Sequence, residues 1–139
     1  MSTVKAIHDV LAATPALTGF LTVYQGAPAI FTRRPIPSEA EEPYVIVNAP
    51  VDVQSSGDLE NPHFIQDEQR DIELIAPATG SVAAIDAAAE AMRLALANVL
   101  LTVIGYRRAR ATVLSGPREL PADSDSYGRL VVVNVHLVT

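Results

Sequence analysis

The stretch GSVAAIDAAAEAMRLALANVLLTVIG, residues 80–105, decides how the rest of the chain is arranged. Val82, Ile85, Ala89, Met92, Leu96 and Val99 recur at three- and four-residue steps, the seam of an amphipathic helix. Ala, the strongest helix former, fills most positions between. Ser81 or Thr79 can cap the start by accepting orphan backbone N–H groups. Gly105 is the expected stop, because glycine tolerates the left-handed conformation that follows a helix. The small side chains let this helix lie close to what it covers. That partner is expected to be a sheet, since the other apolar runs have strand character.

Working outward on the C-terminal side, 106–114 reads as a strand, 115–128 as a polar loop and 129–138 as a Val-rich strand. In the last, Val131, Val133, Val135 and Leu137 share one side, and Leu130, Val132, Asn134, His136 and Val138 the other. With both sides largely apolar, this strand is expected to be central, or covered on its second side by another subunit. On the N-terminal side, 44–53 and 66–76 read as a strand pair joined by a long polar tip, 54–65. Pro50 marks an edge position or a bulge. Hairpin tips are normally two to five residues, so this one is either a surface loop or an arm toward a neighbouring subunit.

The segment 22–42 carries Gly26, Pro28, Pro35 and Pro37 and reads as a surface connector, with a short edge strand within 29–33. A first helix is expected from Thr3 to about Ala13, with Val4, Ile7 and Leu11 on one face and Pro15 ending it. The expected fold is therefore a single α+β domain over 1–139. It would be a mostly antiparallel sheet of about four strands with two helices packed on one face.

Composition narrows the function. The 139 residues suffice for one domain, which at this size buries about 70% of its unfolded surface. There is no cysteine, so thiolate chemistry is excluded. The start, MSTVK, lacks the apolar core of a signal peptide. The apolar run near 94–104 is too short for a membrane span, and a soluble, cytoplasmically made protein is expected. The net charge of −6 argues against general nucleic-acid binding. Charge is unevenly placed. Ten acids and one base, Arg70, lie between Glu39 and Glu73, whereas Arg107, Arg108, Arg110 and Arg118 cluster later. These are either two solvated faces or opposed edges of a head-to-tail contact.

Catalytic signatures are missing from the sequence. There is no Gly-x-Ser-x-Gly elbow, no Gly-x-Gly-x-x-Gly and no Gly-Lys-Ser/Thr. His8, His63 and His136 lack metal-ligand spacing. Asp123-Ser124-Asp125 opens like a calcium loop, but Tyr127 stands where an oxygen ligand is required and Asn134 where the bidentate Glu should be. Glu39, Glu41 and Glu42 read as a solvated loop, with nothing nearby to shift a carboxyl pKa. No enzyme, no cofactor and no metal is expected.

Five pieces of sequence resemble the tail-completion, or tail-terminator, family of long-tailed phages and gene-transfer particles. They are VLAATPALT at 10–18, EPYVIV at 42–47, DIELIA at 71–76, the Ala-rich helix, and RLVVVNV at 129–135. The resemblance implies a structural virion protein without catalytic residues, forming a sixfold ring. Such a ring caps the tail tube, ends its polymerisation and joins tail to head. The implied partners are copies of the chain, the tail tube protein and a head-completion or neck protein, in a virion assembled in the bacterial host cytoplasm. No specific nucleic acid and no membrane are implied. The alternatives are a head-closure or neck protein of the same particle, or a small non-viral oligomeric binding module.

Charge and loop length, not family positions, nominate the interface residues. In the tip and its flank these are Ser55, Asp58, Glu60 and His63. On the second strand they are Asp67, Glu68, Asp71 and Glu73, with Arg107, Arg108 and Arg110 as basic partners. Asp123 and Asp125 represent the loop toward the head side.

Overall fold

The computed structural model describes residues 3–56, 65–120 and 125–139. Helices α1 (Thr3–Ala12) and α2 (Pro15–Thr18) come first, followed by the short strands β1 (Val23–Tyr24), β2 (Ala27–Pro28) and β3 (Ile30–Phe31). Next come β4 (Tyr44–Ser56), β5 (Ile65–Pro77), helix α3 (Val82–Leu96), β6 (Val99–Leu101), β7 (Arg108–Leu120) and β8 (Ser126–Val138). Six strands form one sheet in the order β3-β4-β5-β8-β7-β6, and β1-β2 is a separate two-stranded sheet.

This corrects the expected architecture. The protein is mostly β, and its main sheet is mixed, because β3 runs parallel to β4 while the other pairs are antiparallel. Strands of two or three residues show no alternation to read, which is why β1, β2 and β6 were not foreseen. β3 falls inside the expected edge segment, but two residues carry no sign of direction.

Several boundaries also differ, two of them with a clear local cause. The helix expected over 80–105 ends at Leu96, and the chain turns at Asn98, whose φ is +54°. Asn is among the few residues that accept this conformation readily. The turn diverts the remaining apolar residues into β6. At the other end Ser81 caps α3 as expected, its hydroxyl accepting from the Ala84 N–H at 3.3 Å. The segment 115–120, expected in a loop, continues β7 through two register shifts. Gly116 makes this possible: its φ is +103°, and a Cβ there would lie 2.3 Å from the Leu130 carbonyl oxygen.

The core lies between one sheet face and the helices. Ile7, Leu11, Leu17, Ile85, Met92 and Leu96 pack against Val45, Val47, Ile72, Leu74, Val131 and Val133. Burying side chains of this kind contributes about 1.5–3 kcal/mol each. β4 does not keep a strict inward–outward alternation. Register shifts flank Pro50, and Val51 and Val53 are exposed. The irregularity is held from both sides: Asn48 Nδ2 donates to the Asp71 carbonyl at 3.0 Å, and Arg70 Nη1 donates to the Asn48 carbonyl at 2.9 Å. A backbone acceptor freed from the ladder thus keeps a partner.

Candidate assembly interface

The face of the sheet away from the helices carries five of the nominated residues, Asp67, Asp71, Glu73, Arg108 and Arg110. Cross-strand register sets Gln54, Asp67, His136, Arg110 and Leu100 in one row across β4, β5, β8, β7 and β6. A second row holds Ile46, Glu73, Leu130 and Arg118. Leu130 and Val132 are buried on this face although no helix covers it. The connector after β3 folds over its β4 side, where Thr32, Arg33 and Arg34 form one wall of a cleft of about 600 Å³. Arg34 reaches across to Glu73 and donates to Asn48 Oδ1 at 3.0 Å.

Three of the four nominated β5 acids are engaged within the chain. Glu73 bonds Arg34 and also accepts from Asn48 Nδ2 at 2.8 Å. Glu68 lies on the helix side, 3.4 Å from the buried Arg70 guanidinium. Asp67 Oδ1 accepts from His136 Nδ1 at 2.9 Å and Asn134 Nδ2 at 3.1 Å. The Asn134 bond, then the His136 bond, hold the Asp67 carboxyl below its ordinary pKa. Asp71 is half-buried on the open face.

Arg107 and Arg108 are exposed and form no ion pair with any described residue. Arg110 is half-buried and donates to Asn98 Oδ1. One chain therefore does not bring the arginine group onto the β5 acids. Ser55 is exposed on the far half of β4, and Asp125 is exposed just before β8. Asp58, Glu60, His63 and Asp123 lie outside the described residues, as do most of the polar tip and the start of the candidate calcium loop. The rest of that loop, from Ser126, belongs to β8.

Sequence reasoning passed over Arg34, Asn48, Arg70 and Arg129. Arg129 is buried and donates to Asp86 on α3 at 2.9 Å. Two of these were visible: alternation puts Arg70 on the side of Ile72 and Leu74, and Arg129 on the side of Val131. A buried arginine at such a position requires partners.

Among the described residues the sheet is unfinished at both ends. β3 covers β4 only at Val45 and Ile46, so among the described residues the outer edge of β4 has no strand partner from residue 48 onward. β6 pairs with β7 on one side and with no described strand on the other. Unpaired edges present rows of free N–H and C=O groups that invite another strand.

Among the described residues no three His, Cys, Asp or Glu side chains gather as metal ligands, and no helix is long and apolar enough to cross a membrane. No family model and no curated protein sequence matches the chain. A chain in the solved structure of the virion of a native gene transfer agent particle has a similar fold. The TM-score is 0.77 at 21% sequence identity, covering 99% of this chain and 96% of that one.

Proposed function

We propose that the protein is a structural subunit of a phage-like particle. It forms a ring, of six copies by the family resemblance, that caps the tail tube, ends its polymerisation and offers the surface that joins tail to head. The observation that carries this reading is the fold shared over nearly the full length of both chains with a component of a gene transfer agent virion. Two physical features agree with it. Among the described residues both sheet edges are open, and cationic Arg107 and Arg108 sit near one of them without an ion-pair partner. A head-to-tail contact between unlike edges closes into a ring when the rotation per subunit divides a full turn.

In this role the chain does no chemistry. Its partners are other copies of itself, the tube protein and a neck or head-completion protein, and its place is the virion, assembled in the bacterial host cytoplasm. Polymerising tail tube protein with and without this protein, followed by electron microscopy, tests the proposal. Capped tubes of limited length are the expected result. Rings that leave tubes growing freely would place the protein in the neck instead. An isolated dimer at every salt concentration, with no effect on tubes, would favour a non-viral binding module.

A further inference from the structure

The geometry points to a specific contact between copies. The far half of β4 in one copy adds as a strand to β6 of the next, extending the six-stranded sheet across the subunit boundary. The contact deepens the ring reading above and rests on it for its setting.

The donor strand is 51–55. It follows the Pro50 irregularity, contains no proline, and has no strand on its outer side among the described residues. All five of its residues are exposed, although 53–55 form regular pairs with β5 on the inner side. The receiving edge is β6. Beside it a groove of about 360 Å³ separates the strand from α1, lined by Ala6, Val10, Ala13, Leu100 and Leu101, with Asp9 and Thr102 at its polar margin. The outer edge of β7 beyond β6 is a poorer receiver, since Pro117 cannot donate and the strand is bulged there.

Facing decides that the two fit. A strand added to a sheet keeps the sheet's two sides, with alternate residues on each. Val53 registers with Glu68 and Val135, which puts it on the helix side. There the α1–β6 groove would take its exposed side chain. Asp52 and Gln54 register with Gln69 and Asp67, which puts them on the open side. There they would adjoin Leu100, which is 63% exposed, with Arg110, the cross-strand neighbour of Leu100, one strand further in. Asp52 has no ion pair among the described residues, and Arg108 lies two residues from Arg110 on the same side. Val53 thus meets the Val10 and Leu101 side of the groove on one face, and on the other Asp52 packs beside Leu100 with the Arg110 guanidinium one strand further in.

The chain has no native cysteine, so single thiols can be introduced cleanly. Gln54→Cys and Leu100→Cys, each exposed on the open side, are treated separately and mixed with a short bis-maleimide. Native mass spectrometry establishes the oligomers present. The expected result is a cross-linked heterodimer in the mixture and little product from either variant alone, with the double variant giving a ladder. Equal cross-linking of one variant with itself would show a two-fold contact and overturn the proposal. So would oligomers that never link in the mixture, or a monomer at all concentrations up to millimolar. Tube capping is read separately. Cross-links without capping would remove the tail role and leave the contact standing, whereas capping without cross-links would do the reverse.

Discussion

His136 Nδ1 stands 2.9 Å from Asp67 Oδ1 across the β5–β8 boundary, on the face no helix covers. Asn134 donates to the same oxygen, and together the two bonds favour the ionised carboxylate in the folded protein. The stabilisation is therefore present above the unfolded pKa of about 3.9 and is lost as pH falls through the lower folded value. Urea titrations of the native protein and Asp67→Asn from pH 3 to 7 check this. The stability gap is expected to be widest near neutrality and to shrink below about pH 4. It should stay under about 1 kcal/mol, because both side chains are roughly two-fifths exposed.

Arg70 has the opposite environment. It is buried, it supplies the hydrogen bond to the Asn48 carbonyl, and it faces Glu68. Arg70→Ala strands both groups, and losing one partner of a buried pair costs about 3 kcal/mol. Denaturant melts should show a loss of this order. Arg70→Lys should restore only part of it, because a compact ammonium lacks the planar guanidinium fork whose separate nitrogens reach Glu68 and the Asn48 carbonyl.

Gly116→Ala is expected to cost about 2 kcal/mol or more. The new methyl group would collide with the Leu130 carbonyl, a backbone atom, and the positive φ adds strain. Gly105 also has a positive φ but open space around it, so Gly105→Ala should cost less. A matched pair of thermal melts separates the steric from the conformational contribution.

Reversing Arg107, Arg108 and Arg110 together to Glu should weaken self-association about tenfold or more while the monomer stays folded. Native mass spectrometry reports the first and circular dichroism the second. Unchanged oligomers would remove charge pairing from the interface.

The long elements were legible because burial imposes a period. Ile72 and Leu74 alternate inward in β5, and Ile85, Met92 and Leu96 follow the helical stripe of α3. What was hidden has local causes. Residues 99–104 keep helical apolar spacing, and only Asn98 diverts them. Residues 115–120 contain Gly and Pro and look like a loop, yet bulging keeps them in the sheet. The interface candidates were legible only as charge blocks. That Glu73 is taken by Arg34, 39 positions away, is a tertiary fact with no sequence period behind it.

The strap that carries Arg34 has an evolutionary corollary. It bounds the cleft above Leu130, yet none of the residues from Thr32 to Ala40 belongs to the hydrophobic core. Lengthening, shortening or recharging that strap would change what the cleft admits without disturbing the packing that folds the chain. Related chains could thus adapt this mouth to different neighbours while inheriting one scaffold.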